Sequence, residues 1–258
     1  MNNIRSSKNV PSFLSSNKSL LQKWKHNLPN LIRTAVLILI VSSCSTPTVW
    51  SYTPNSYIQS DRKILLKTVS IPPFRDKRPD KEENLIFLGA IPLMPYGWAD
   101  YEKPENAAAH LTSKAWKSYR PAEDFAAALA GELKNAGTVN ETFSELRKED
   151  QYYIRGTILN TGYRGKMFSY GLASLGPLLW YLGAPAVKVE NDLSLEMNLL
   201  NQKTGKILFA KKYSAVPISE LGWIYSLPDD FRYSEMLREI YGEFIRDLNA
   251  EFPSGLKE

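Results

Sequence analysis

Apolar positions recur along this chain with two periods, and each period predicts its own kind of element. Leu237, Ile240, Tyr241, Phe244, Ile245, Leu248 and Phe252 follow at the steps that keep one helical face apolar. A helix over 234–252 is therefore predicted, with Ser234 as its N-cap. A second helix is predicted over 121–137 (PAEDFAAALAGELKNAG), where Phe125, Leu129 and Leu133 lie four apart. Pro121 suits its first turn, Glu123 and Asp124 complement the dipole there, and Gly137 ends it. Strands are predicted over 63–71 (KILLKTVSI), stopped by Pro72 and Pro73, over 139–143, and over 152–163 (YYIRGTILNTGY). Segments 192–200 and 206–213 flank the turn 201–205 and read as a hairpin. This order predicts an α+β fold: a single mixed or antiparallel sheet, two amphipathic helices on one face, and apolar inserted loops.

Two stretches fit neither period. Residues 85–99 (LIFLGAIPLMPYGWA) and 167–187 (MFSYGLASLGPLLWYLGAPAV) carry no charge. As a straight helix the second would reach about 31 Å, the depth of a hydrocarbon core. Gly171, Gly176, Pro177, Gly183 and Pro185 break such a helix. The segment is then either a buried core element or a surface element that docks on a partner or dips into a bilayer. Tyr96 and Trp98 in one stretch, and Leu178, Leu179, Trp180 and Tyr181 in the other, are the candidate contact residues.

Charge changes the picture at the amino terminus. Six of the 32 basic residues and none of the 27 acidic ones fall within 1–43, so the rest of the chain carries one more acid than base. Arg33 is followed by eight uncharged residues, 34–41, and then by Ser42, Ser43 and Cys44. A basic region, a short apolar run and small residues describe an export signal. Eight residues reach only about 12 Å as a helix, too little to span a bilayer. Val41-Ser42-Ser43-Cys44 resembles the lipobox of bacterial lipoproteins. That resemblance implies cleavage before Cys44, a diacylglycerol on its sulfur and an acylated amino terminus; Ser45 implies sorting to the outer membrane. Two or more acyl chains anchor stably where one does not. Cys44 is the only cysteine, so the chain forms no intramolecular disulfide. The expected organisation is a cleaved signal peptide over 1–43, a lipidated flexible tether over 44–61, and one periplasmic α+β domain over 62–258.

Beyond the anchor the chain offers little chemistry. His110 is the one histidine after Cys44, in a polar run without a nucleophile-elbow pattern. No Cys/His metal spacing, P-loop or GxGxxG is present, and the expectation is a non-enzyme without metal or cofactor. Glu82-Glu83 and Asp229-Asp230 read as solvated pairs, and Asp76 with Arg75 and Arg78 as a local salt bridge. Lys211-Lys212 and Arg147-Lys148 are isolated pairs in a near-neutral chain, which excludes a nucleic-acid face. A strand ending in Pro-Pro-Phe-Arg-Asp-Lys-Arg (72–78), then a helix, a strand pair and a final helix, resembles small periplasmic lipoprotein domains. These are related to the TolB amino-terminal domain and to the curli-secretion and penicillin-binding-protein-activator lipoproteins. The expected function is a lipid-anchored binding or assembly factor at the outer membrane, with an envelope protein or a second copy as partner. An oligomeric membrane-inserting component of an export apparatus is the alternative, and an envelope hydrolase comes third.

Overall fold

The computed structural model describes residues 48–56, 65–106, 116–117, 119–229, 231–253 and 255–256. Cys44, the expected signal peptide, His110 and Asp230 lie outside that set. In chain order the first strands are β1 (Thr48–Val49), β2 (Leu66–Ser70), β3 (Arg75–Asp76), β4 (Glu82–Asn84), β5 (Tyr96–Tyr101) and β6 (Trp116–Lys117). Helix α1 (Pro121–Asn135) precedes β7 (Val139–Phe143), β8 (Tyr152–Asn160) and β9 (Tyr163–Phe168). A short helix α2 (Pro177–Tyr181) leads to β10 (Val187–Asn191), β11 (Ser194–Asn201), β12 (Ile207–Ser214) and β13 (Ile218–Gly222), and α3 (Tyr233–Glu251) closes the fold.

Two main sheets result. One has six strands in the order β12-β11-β8-β2-β7, with β3 also beside β8; the other has five, β13-β10-β9-β5-β4. The single sheet with two helices on one face, expected from the sequence, is thus replaced by two sheets and three helices. The reason lies at residues 160–163 and 191–194. The predicted strand 152–163 leaves the first sheet at Asn160 and re-enters pairing at Tyr163 in the second. Its partner does the same, so that Ser194 faces Asn160 while Asn191 faces Tyr163. Asp192 holds the bend. It accepts the Gly162 N–H at 3.0 Å and the Asn160 side-chain amide, and its second oxygen pairs with Arg164 at 2.7 Å. One long antiparallel pair, 152–168 against 187–201, therefore runs through both sheets and is closed at its far end by the insert 169–186.

Helices α1 and α3 pack on each other and on the six-stranded sheet. Tyr241 donates its hydroxyl to the Phe125 carbonyl at 2.8 Å, and the Phe244 ring meets Phe209 and Tyr213 edge-on at 5.9 and 6.0 Å. A ring ladder joins the inner face of the five-stranded sheet to the start of α3. Tyr101 stacks on Tyr163 at 5.9 Å, Tyr163 meets Phe231 at 5.6 Å, and Phe231 stacks on Tyr233 at 5.9 Å. Such pairs add about 0.5–1.5 kcal/mol each to the burial of their area.

The Asp76–Arg78 pair is more than a surface contact. Arg78 is 7% exposed and donates to Asp76, to both oxygens of Glu105 and to Thr161 Oγ1 at 2.7 Å. It ties the loop after β3 to the bend between the sheets. Burial works against the charge of Arg78, but the bonds to Asp76 and Glu105 outweigh it and raise its pKa. Within the stretch expected as a tether, Trp50–Asn55 lies along α1 and α3. Buried Glu132 accepts from Tyr52 Oη at 2.6 Å and from the Asn55 side chain at 2.8 Å, and Ser234 Oγ donates to the Ser51 carbonyl.

Candidate functional site: an apolar tip on the five-stranded sheet

Three uncharged loops leave the same end of the five-stranded sheet. The first runs through a 3-10 turn, Ile86–Ala90, into β5. The second is the insert between β9 and β10, with a 3-10 turn at Ala173–Leu175 and then α2. The third is the segment 223–228 after β13, where Trp223 and Ser226 exchange backbone hydrogen bonds at 3.1 and 2.8 Å. Strand register forces them together: Tyr96 faces Phe168, and Val187 faces both Met167 and Gly222.

The loops are built as one body. The N–H groups of Ser169 and Tyr170 both donate to the Pro95 carbonyl, at 2.9 and 2.8 Å, and Ala186 N–H donates to Gly222 at 2.7 Å. Side-chain polar atoms turn inward. Ser169 Oγ donates to Met94, Tyr170 Oη to Pro185, and Trp180 Nε1 to Phe168, at 2.6, 2.6 and 2.8 Å. Two glycines make this closeness sterically available. A Cβ at Gly97 would lie 2.1 Å from the Ile86 carbonyl oxygen, and one at Gly176 would lie 2.6 Å from that of Ser169.

While these three polar groups are satisfied within the tip, large apolar side chains face out. Of sixteen exposed large hydrophobic residues among the described ones, thirteen lie in these loops or at the end of β13. Leu93 is 88% exposed, Leu182 82% and Tyr225 78%. Monomers rarely leave so contiguous an apolar surface without use. The three non-glycine residues with left-handed backbone among the described ones, Leu93, Tyr170 and Ala173, are all here. That conformation costs about 1–3 kcal/mol at each position, and such strain concentrates at functional segments.

The predicted contact residues divide by position. Leu178 and Tyr181 stand out from the tip, and Leu179 is half-buried. Trp180 is half-buried with its indole N–H satisfied, and Trp98, also half-buried, donates to Glu83 at 3.3 Å. Tyr96 packs edge-on to Trp98 and Phe168, at 6.1 and 6.4 Å, beneath the Lys166 ammonium, 4.9 Å from its ring centre. These three aromatics form the base of the tip rather than its crest. Phe87, Leu93, Leu182, Trp223 and Tyr225 were missed from the sequence, together with the whole third loop. Its signal was there, since 221–228 (LGWIYSLP) is also uncharged and rich in aromatic and aliphatic residues.

Residues 167–187 are neither buried core nor a spanning helix. Their ends belong to β9 and β10, and no described helix is long and apolar enough to cross a membrane. Among the described residues no group of three or more His, Cys, Asp or Glu is placed to hold a metal. Glu82–Asn84 forms an edge strand, and Asp229 is exposed.

No family model and no curated protein matches the chain. Among solved structures it is similar to a Xanthomonas campestris protein of the family DUF330, at 10% identity over 77% of this chain and 90% of that one, with a TM-score of 0.39. It is also similar to an uncharacterized protein, at 10% identity over 81% and 99% of the two chains, TM-score 0.33. A neuraminyllactose-binding hemagglutinin homolog from Helicobacter pylori gives 10%, 78%, 88% and 0.32 in the same order.

Proposed function

We propose that this protein is a lipid-anchored binding or assembly factor facing the periplasm from the outer membrane, attached through acylated Cys44 and working through the apolar tip. The observation that carries the reading is the convergence of three uncharged loops at one sheet end with their apolar side chains outward. A rigid scaffold presenting loops is a common way to hold a binding surface. The residues at 41–44 supply the second attachment.

Because Cys44 is the only cysteine, thiol labelling in cells tests both parts. Wild-type chain, with its sulfur acylated, is expected to resist a membrane-impermeant maleimide, and Cys44→Ser to leave an uncleaved precursor without acyl label. With the outer membrane permeabilised, Leu182→Cys is expected to stay protected until detergent is added, whereas Lys203→Cys, in the exposed hairpin turn, labels at once. Equal labelling at 182 and 203 would sink the tip as the working surface. Normal processing of Cys44→Ser would sink the anchor.

A further inference from the structure

From the order of side chains behind the tip we infer that its occupant is a lipid bilayer, entered to the depth of the headgroup and acyl boundary. This rests on the tip being the working surface, and names what covers it. On the outer face of the five-stranded sheet, the strand register sorts residues into rows. Nearest the tip, Tyr96 stands beside Phe168. Behind them run Trp98, Lys166, Lys188 and Leu221, each opposite the next. Asp100, Arg164, Glu190 and Ser219 form the third row.

Passing from the tip inward, the surface is uncharged, with aliphatic and aromatic side chains together, then aromatic beside lysine, then of mixed charge. A membrane interface runs from uncharged to charged in the same direction, from acyl chains through a belt where Trp and Tyr are favoured to phosphates that attract lysine. Lys166 and Lys188 are direct cross-strand neighbours with the single carboxylate of Glu190 bonded to Lys188, so the row keeps a net positive charge that favours an anion. The acidic groups near them are accounted for. Glu190 bonds Lys188, which holds its carboxyl below the ordinary range; Asp100 pairs with Lys81, and Glu83 takes the Trp98 indole.

Two further features favour lipid over a protein partner. A protein interface carries about one hydrogen bond per 100–200 Å² and anchors in pockets. Here the hydroxyls of Ser169 and Tyr170 and the indole of Trp180 are spent on the protein's own carbonyls. A groove beside the tip, about 220 Å³, is lined by Tyr96, Trp98, Asp100, Arg164 and Lys166, at the base and not the crest. An uncharged crest with the polar atoms of Ser169, Tyr170 and Trp180 satisfied internally loses little on entering the boundary, where the exposed rings of Tyr181 and Tyr225 keep their hydroxyls near the headgroups.

The test uses the full chain carrying Cys44→Ser, so that a thiol introduced at 182 or 203 is unique and takes an environment-sensitive fluorophore. With vesicles of phosphatidylethanolamine and phosphatidylglycerol, the probe at 182 is expected to shift to the blue and to be quenched by lipids brominated in the acyl chain. The probe at 203 should respond to neither. Leu178→Glu, read from 182, should weaken partitioning about tenfold or more. Lys166→Gln and Lys188→Gln should each weaken it about fivefold, an effect that disappears on phosphatidylcholine vesicles. No lipid quenching at 182, with a discrete protein adduct from a photo-crosslinker at that position in cells, would overturn the bilayer and leave the tip as a protein-binding surface. No quenching, no adduct and free labelling of 182 in cells would overturn both.

Discussion

Leu93 donates its backbone N–H to the Gly171 carbonyl at 2.9 Å, and both residues have left-handed backbone, with φ of 70° and 77°. The bond joins the first apolar loop to the second where each turns most sharply. Glycine adopts this conformation freely; leucine does so at a cost of about 1–2 kcal/mol. A leucine here, with 88% of its surface in water, is therefore held for something other than stability.

Leu93→Gly separates the two roles. Relief of the strain is expected to offset the entropy gained by the unfolded chain, about 0.4–1 kcal/mol, so the urea midpoint should hold or rise. Protection of the tip in cells should fall. A loss of stability beyond about 1 kcal/mol would show that the leucine side chain supports the fold.

Arg78→Met removes the guanidinium that bonds Asp76, Glu105 and Thr161. Breaking a buried pair from one side costs about 3–5 kcal/mol, and the partial exposure of Asp76 argues for the lower end. Arg78→Lys should fail as well, since one ammonium cannot bond three separate groups in that geometry. Chemical denaturation of the three proteins reads this directly.

The same cluster sets an acid limit. The hydrogen bond from Arg78, partly opposed by burial, holds the Asp76 carboxyl below the ordinary range. Its stabilising contribution is thus full above the unfolded-state value, about 3.9, and is lost as pH falls through the lower folded value. Stability followed below about pH 4 should fall less steeply in Asp76→Asn, from a lower starting level. Parallel acid limbs would show that other carboxylates carry the transition.

Trp180 and Leu182 lie two residues apart and should behave oppositely. Trp180→Phe leaves the Phe168 carbonyl without its side-chain donor and should cost about 1 kcal/mol. Leu182→Ser should change stability by less than about 0.5 kcal/mol while reducing self-association of the detergent-free protein. Thermal unfolding and light scattering distinguish them.

Glu132→Ala should release Trp50–Asn55 from the helices, because Tyr52 and Asn55 lose their shared acceptor. Hydrogen exchange over 50–56 is expected to quicken. Unchanged protection there would assign the docking to the remaining contacts, the rings of Trp50 and Tyr52 near Phe125 and Tyr241 and the bonds of Ser51 and Asn55 to the helices.

Helices α1 and α3 were legible almost to their ends: 121–137 was expected against an observed Pro121–Asn135, and 234–252 against Tyr233–Glu251. Each presents a stripe of its own, and that signal needs no knowledge of partners. The hairpin of β11 and β12 was legible for the same local reason. Strands β5 and β9 were not. In β5 the sequence YGWADY begins one residue after Pro95 inside an apolar run, and β9 was read partly as the end of β8 and partly as insert. Their strand character rests on pairing with each other more than sixty positions apart, Tyr96 with Phe168 and Asp100 with Arg164, and with β4 and β10 across the apolar loops, none of which a local window contains.

By itself, then, the sequence determined the elements whose periodicity is local, the placement of its basic excess in residues 1–43, and the existence of uncharged stretches. Whether those stretches were core or surface was decided only in three dimensions. A run of leucines has the same composition in either setting. Its exposure depends on whether a neighbouring layer covers it, and here the bend at Thr161-Gly162 carries β9 and β10 away from α1 and α3 into a sheet of their own. The loops at the end of that sheet pack on one another, and thirteen large apolar side chains among the described residues there are left facing outward.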